Sequence, residues 1–240
     1  MPLFVIGGTS LSPQSTENGD NIERLLDEKP FFVSEKISVG PFELAVNGQV
    51  NTNTLEDLLA HFAIARKNKK YFDTPSIALF HCVAPLRKLF AAHQGQDIAL
   101  YVNLGPANAA LSEFTLWAEE NPAEGTDIFT KMMASSVVKI LPNVVMSNLS
   151  MNADILGENT VTAGTAASSA WCIQAAAQAL NKGNSKCAIV ASASFPYQYF
   201  NMDAFHRFFG PSFFEPTLCE GAAAIALTKE TTDRDASLGA

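Results

Sequence analysis

The sequence predicts an α/β layered domain, with helices covering a buried sheet, and three observations carry that prediction. Residues 97–105 (DIALYVNLG) and 186–194 (KCAIVASAS) are short and apolar almost throughout rather than alternating, as strands buried on both faces are. Such strands alternate along the chain with longer stretches whose apolar residues recur at helical spacing. The 240 residues are 48% hydrophobic and only 17% charged, which fits one large core without a linker or a repeat. A single domain over residues 1–240 is expected.

The elements follow in order. Residues 3–6 make a short apolar strand, and Gly7-Gly8 reads as the turn that closes it. A surface helix is expected over 21–29, and a loop with a hairpin between 31 and 53. Residues 54–68 have helical spacing with Thr54 as a cap. Another helix starts at Asp73-Thr74-Pro75 and continues to about residue 93, with Pro85 as a kink point. After the 97–105 strand come helices over 107–120, 126–141 and about 143–156. A strand over 160–164, a long apolar helix over 166–180, the 186–194 strand and a last strand over 221–230 complete the chain, which ends in a polar tail.

Composition excludes several function classes. A net charge of −8 is a poor match for nucleic acid, whose phosphates call for clustered Lys and Arg. The one basic run, Arg66-Lys67-Asn68-Lys69-Lys70, reads as a solvated helix end. No segment approaches the ~20 apolar residues of a membrane helix, and no leader-like n-region opens the chain, so a cytoplasmic location is expected. Cys82, Cys172, Cys187 and Cys219 are scattered, without the paired spacing of a zinc site, so no metal and no cofactor is expected.

The helix over 166–180 decides the functional reading. Only Ser168, Ser169, Gln174 and Gln178 are polar along it, and a helix apolar nearly all round is buried nearly all round. A sheet covers one side, so another layer of the chain or a second subunit must cover the other.

Here the sequence resembles the N-terminal half of the β-ketoacyl synthases, of the thiolase-fold superfamily. The residues that carry the resemblance are NVVMSNLSMNADILG (143–157), TVTAGTAASSA (160–170), AAAQALNKGNSKCAIVASAS (175–194) and CEGAAAIALTKE (219–230), with DTPSIALFHCVAPLRKLF (73–90) as a weaker match. The resemblance implies the N-terminal half of a thiolase-like fold, a mixed sheet layered with helices. It also implies a nucleophilic cysteine, and counting from Gly157 that position holds Ala166. A methyl group cannot form the acyl thioester. Thr165, Ser168 and Ser169 have no base beside them in the sequence and read as helix-start residues. Cys172 lies nearly two turns on and reads as a buried thiol. The family's two active-site histidines come from its C-terminal half, and none of His61, His81, His93 and His206 falls in a matching motif. The glycine pair that the family usually carries after the 186–194 strand is replaced by Ala193-Ser194.

The departures imply a non-catalytic subunit of the chain-length-factor type, as in aryl polyene, polyketide or fatty acid biosynthesis. Such a subunit would form a heterodimer with an active synthase, shape its acyl tunnel, and meet acyl carrier protein only through that partner. The resemblance implies an interface around Thr160, Val161, Thr162, Ala163, Gly164, Thr165 and Ala166. By approximate alignment, Ile140, Asn143 and Met146 are tunnel or interface candidates, although ordinary core positions would have the same residue types. The alternative is a thiolase-fold enzyme acting alone as a decarboxylase or acyltransferase of malonyl or acyl thioesters.

Overall fold

The computed structural model describes residues 3–11, 35–39, 42–46, 50, 52–105, 138–139, 141–164, 166–196, 201–202, 206–208, 210 and 220–229. Strands β1 (Phe4–Leu11), β4 (Ile98–Leu104), β5 (Asn159–Ala163), β6 (Cys187–Ser194) and β7 (Gly221–Thr228) form one sheet in the order β1-β7-β6-β4-β5. β4 runs parallel to β5 and β6, while β7 is antiparallel to both β6 and β1, so the sheet is mixed. Strands β2 (Glu35–Val39) and β3 (Phe42–Val46) pair as the expected hairpin. The helices are α1 (Thr52–His61), the single turn α2 (Arg66–Lys69), α3 (Thr74–Leu89), α4 (Pro142–Asn152) and α5 (Ala166–Lys182).

Two layers cover the sheet. On one face, Ile98, Leu100, Val102 and Leu104 of β4 meet Leu79, Val83 and Leu86 of α3 and Val145 and Leu149 of α4. On the other, Ala99 and Tyr101 of β4 meet Cys172, Ala176, Ala179 and Leu180 of α5. The period-two alternation of side chains explains this split, because both sets of an all-buried strand need cover. The helices expected over 21–29 and 107–120 lie outside the described residues, as does nearly all of 126–141; Val138 and Lys139 are helical.

Several local expectations are corrected. Gly7-Gly8 does not close β1, which continues through it to Leu11 with an irregularity between Val5 and Gly7. A Cβ on Gly7 would stand 2.6 Å from Leu89 Cδ1, so the glycine makes room for the last turn of α3 rather than for a turn of its own chain. The helix expected over 54–68 begins at Thr52, placing Thr54 inside it, and stops at His61. Lys69 Nζ donates to Leu59 O (2.8 Å) and Ala60 O (3.2 Å), satisfying carbonyls that a longer helix would have used. That anchoring gives part of the basic run a structural role, while Arg66, Lys67 and Lys70 remain exposed. α3 stays helical on both sides of Pro85, and its N-cap is Asp73, whose Oδ1 accepts from Ser76 N at 3.0 Å. α4 ends at Asn152, short of residue 156, where Asp154 takes a positive φ of 52°.

Candidate functional site

The crossover from β4 to β5 carries α4 on the α3 side of the sheet, whereas the crossover from β5 to β6 carries α5 on the opposite side. The carboxyl ends of β4 and β5 therefore lie between two crossovers whose helices, α4 and α5, pack on opposite faces of the sheet, as at a switch point. Gly105 and Gly164 stand there, at the exits of the two strands. Gly105 N donates to Ala193 O (2.7 Å) and Gly164 N to Leu104 O (2.9 Å), which keeps the strand ends laced together. A side chain on Gly164 would collide with Ser168 Oγ, and one on Gly105 would stand 3.0 Å from Ser194 Oγ. Ala166 opens α5 two residues beyond Gly164.

Beside these strand ends lies a polar cluster on the α5 side of the sheet. Thr162, Asn103 and Ser192 are lateral neighbours on β5, β4 and β6. Asn103 is 3% exposed, and its Nδ2 donates to Ser169 Oγ (2.9 Å) and Ser192 Oγ (3.2 Å). Its Oδ1 accepts from Thr162 Oγ1 at 3.0 Å, and the two serine hydroxyls are 3.1 Å apart. Cys172 Sγ is 3.5 Å from Thr162 Oγ1, and burial pushes its thiol up from the ordinary range. The cluster is internally satisfied and contains no base. It offers packing and orientation, not an activated nucleophile. The signal that could have found it is Asn103, the one amide in the strand IALYVNL.

The sequence-derived candidates do not converge on one spot. Thr162 faces α5, whereas Val161 packs against the α3–α4 layer, and so does the half-buried Met146. Asn143 is exposed in the first turn of α4; Thr160 and Gly164 are half-buried and Ala163 is exposed. Ile140, Thr165 and the side chain of Ala166 lie outside the described residues. Among the histidines, His61 and His206 are exposed, and His93 packs edge-on to Phe90. Cys82, Cys172 and Cys187 are buried, while Cys219 lies outside the described residues. Burial pushes the Cys82 thiol up to about 12, which makes it inert at neutral pH. Among the described residues no group of three or more His, Cys, Asp or Glu is placed to hold a metal ion. No helix among them is long and apolar enough to cross a membrane.

This mixed sheet, with α5 leaving β5 at a switch point and α3 and α4 behind, is a thiolase-like fold of the kind that forms the N-terminal half of a β-ketoacyl synthase. Residues 96–213 match the family model for the β-ketoacyl synthase N-terminal domain, so this part of the chain is similar to that domain. Among solved structures it is similar to the ishigamide ketosynthase/chain length factor, at 14% identity and a TM-score of 0.75, covering 95% of this chain and 62% of that one. It is also similar to a structure of a type II PKS acyl-carrier protein in complex with its ketosynthase bound to the hexaketide. That match has 12% identity and a TM-score of 0.68, over 98% of this chain and 63% of the other. A third similar structure is the ketosynthase from module 6 of the bacillaene synthase of Bacillus subtilis, at 13% identity and a TM-score of 0.58, over 98% and 38% of the two chains. The chain thus spans less than two thirds of the length of each of these structures. No curated protein matches it in sequence.

Proposed function

We propose that this ketosynthase-like chain is a non-catalytic subunit of the chain-length-factor type, which pairs with a cysteine-bearing synthase and shapes the acyl tunnel of the pair. The observation that carries this reading is Ala166, a methyl group at the opening of α5 where the family's nucleophile would stand. A covalent acyl-enzyme cannot form on that side chain. The nearby hydroxyl of Ser169 is committed to the Asn103 cluster.

Two further features support a partner. On the two flanks of α5, either side of the sheet-facing Cys172, Trp171 is 49% and Ile173 43% exposed among the described residues, so two apolar edges of the helix stand bare there. At the sheet's end, β5 has no neighbour on its outer edge among the described residues, and an open edge is a template for another chain. Thr160 to Ala166 would then lie at the joint, with Ile140, Asn143 and Met146 near the tunnel. Acyl carrier protein would dock on the partner, because a chain at −8 repels an acidic carrier. A cytoplasmic heterodimer serving polyketide, aryl polyene or fatty acid synthesis completes the proposal.

The test is co-expression with a cysteine-bearing ketosynthase, followed by co-purification and a condensation assay with malonyl and acyl carrier-protein thioesters. A stable complex that is active only when both chains are present is the expected result. Decarboxylation or acyl transfer by this chain alone would overturn it in favour of a self-sufficient thiolase-fold enzyme.

A further inference from the structure

We infer that the cluster centred on Asn103 is the register pin of α5, so that Asn103 is a positioning residue that sets where the opening turn at Ala166 sits over the carboxyl ends of β4 and β5. The inference stands on the packing of this chain and needs no partner.

The sheet-facing side of α5 is nearly smooth: it presents Cys172, Ala175, Ala176 and Ala179, with Leu180 toward its end, to a sheet surface that includes Ala99, Tyr101, Ala188, Val190 and Leu227. Helices find their register by setting ridges of side chains into grooves, and methyl-sized ridges leave shallow ones. Such a surface holds the helix against the sheet but discriminates weakly between neighbouring positions along it.

The cluster supplies the discrimination. Both amide hydrogens of Asn103 and its carbonyl oxygen are used, by Ser169 of α5 and by Ser192 and Thr162 of the flanking strands. A slip of α5 by one residue moves it about 1.5 Å and rotates it about 100°. That displacement takes Ser169 off the sheet and strands a buried donor, which is costly in an apolar layer. Buried polar groups that fix register while adding little net stability are known from helical assemblies. The other tie, at the far end of α5, is weaker: Asn184 Nδ2 lies 3.4 Å from Glu158 Oε2 on an exposed turn. Titration does not enter, because the ionisable group facing the cluster is the Cys172 thiol, which burial keeps protonated at neutral pH.

The experiment replaces the cluster by apolar groups of similar shape, Thr162→Val, Asn103→Leu, Ser169→Ala and Ser192→Ala together, in a Trp117→Phe background. Trp171 on α5 is then the only tryptophan, and its indole N–H signal in a proton–nitrogen correlation spectrum reports the helix position. The expected result is cooperative unfolding with the denaturation midpoint preserved, but two or more Trp171 signals where the parent shows one. A single signal at the parental position overturns the inference, whether the midpoint is preserved (an idle cluster) or lowered (a cluster that only stabilises). Should the combined variant fail to fold, Ser169→Ala alone carries the test, since Asn103 keeps its bonds to Ser192 and Thr162. Broadening or splitting of the Trp171 signal is expected there, and a line as sharp as the parent's overturns the inference.

Discussion

The two faces of the central sheet are built on opposite plans. Toward α3 and α4 the layer packs large side chains: Leu79, Val83 and Leu86 share one buried cluster with Ile98, Leu100 and Ile189, and Phe80 meets Phe62 at a tilt and Phe72 edge-on, with ring centroids 4.8 and 5.8 Å apart. Toward α5 the helix contributes mainly small side chains, Cys172, Ala175, Ala176 and Ala179, against Tyr101, Val190 and Leu227 of the sheet, with one hydrogen-bonded cluster beside them. The first face spends its apolar surface inside the chain. The second sets small helix side chains against the sheet and leaves Trp171 and Ile173 partly exposed among the described residues. Stability and site geometry are thereby assigned to different sides of one sheet.

The largest test of that contrast is Leu79→Ala, at a fully buried position on the α3 face. It should lower unfolding free energy by about 2–5 kcal/mol in urea titration, the range for a leucine cavity. A loss well under that would mean that the α3 layer is not the main core. Ala176→Leu on the α5 face should cost about 1–3 kcal/mol, because overpacking there pushes α5 off the sheet. If it were neutral, the close approach of helix and sheet would carry no constraint.

The next effect is one of pH. Asp73 is buried at the N-cap of α3, and desolvation raises its carboxyl above 3.8, against the hydrogen bonds from Ser76 that lower it. A raised pKa in the folded state contributes stability that is complete below 3.8 and is lost as pH rises through the folded value. Asp73→Asn keeps a capping oxygen without that loss. The stability of Asp73→Asn relative to the parent should therefore climb from pH 4 to pH 7 in denaturation midpoints; a flat difference would show that the carboxylate is compensated. The smallest effect is expected from Trp171→Gln, which should change the stability of the isolated chain by no more than about 0.5 kcal/mol, as at ordinary surface sites. Weakened co-purification with a synthase by the same substitution would place the Trp171 flank of α5 in the proposed interface.

What could be read from the sequence follows from how local each cause is. β4 and β6 were legible because strands buried on both faces are apolar at every step, and α3 because Asp73 and Pro75 announce its start locally. Gly7-Gly8 misled because a glycine pair signals a turn, whereas its cause is the distant Leu89 of α3. The end of α1 misled for a similar reason, since Lys69 reaches its carbonyls from the next helix. The position of Ala166 at the opening of α5 was legible by counting from Gly157, a residue held by contact: its Cβ would fall 2.5 Å from Ile98 O. The Asn103 cluster was not legible, because it exists only once β5, β4 and β6 are set side by side.

The corner at residues 153–157 and the turn after α5 differ in how much they tolerate. Arg87 ties down the corner through Asp154 Oδ2 at 3.0 Å and Asp154 O at 3.1 Å, and Gly95 lies too close to Asp154 for any side chain. Gly183, by contrast, closes α5 with a positive φ of 79°, and nothing stands within 4 Å of where its side chain would be. New chain ends, a fluorescent tag or a split-protein junction therefore belong at 183–184. The same insertions at the Asp154 corner would unfasten α3 from the end of α4.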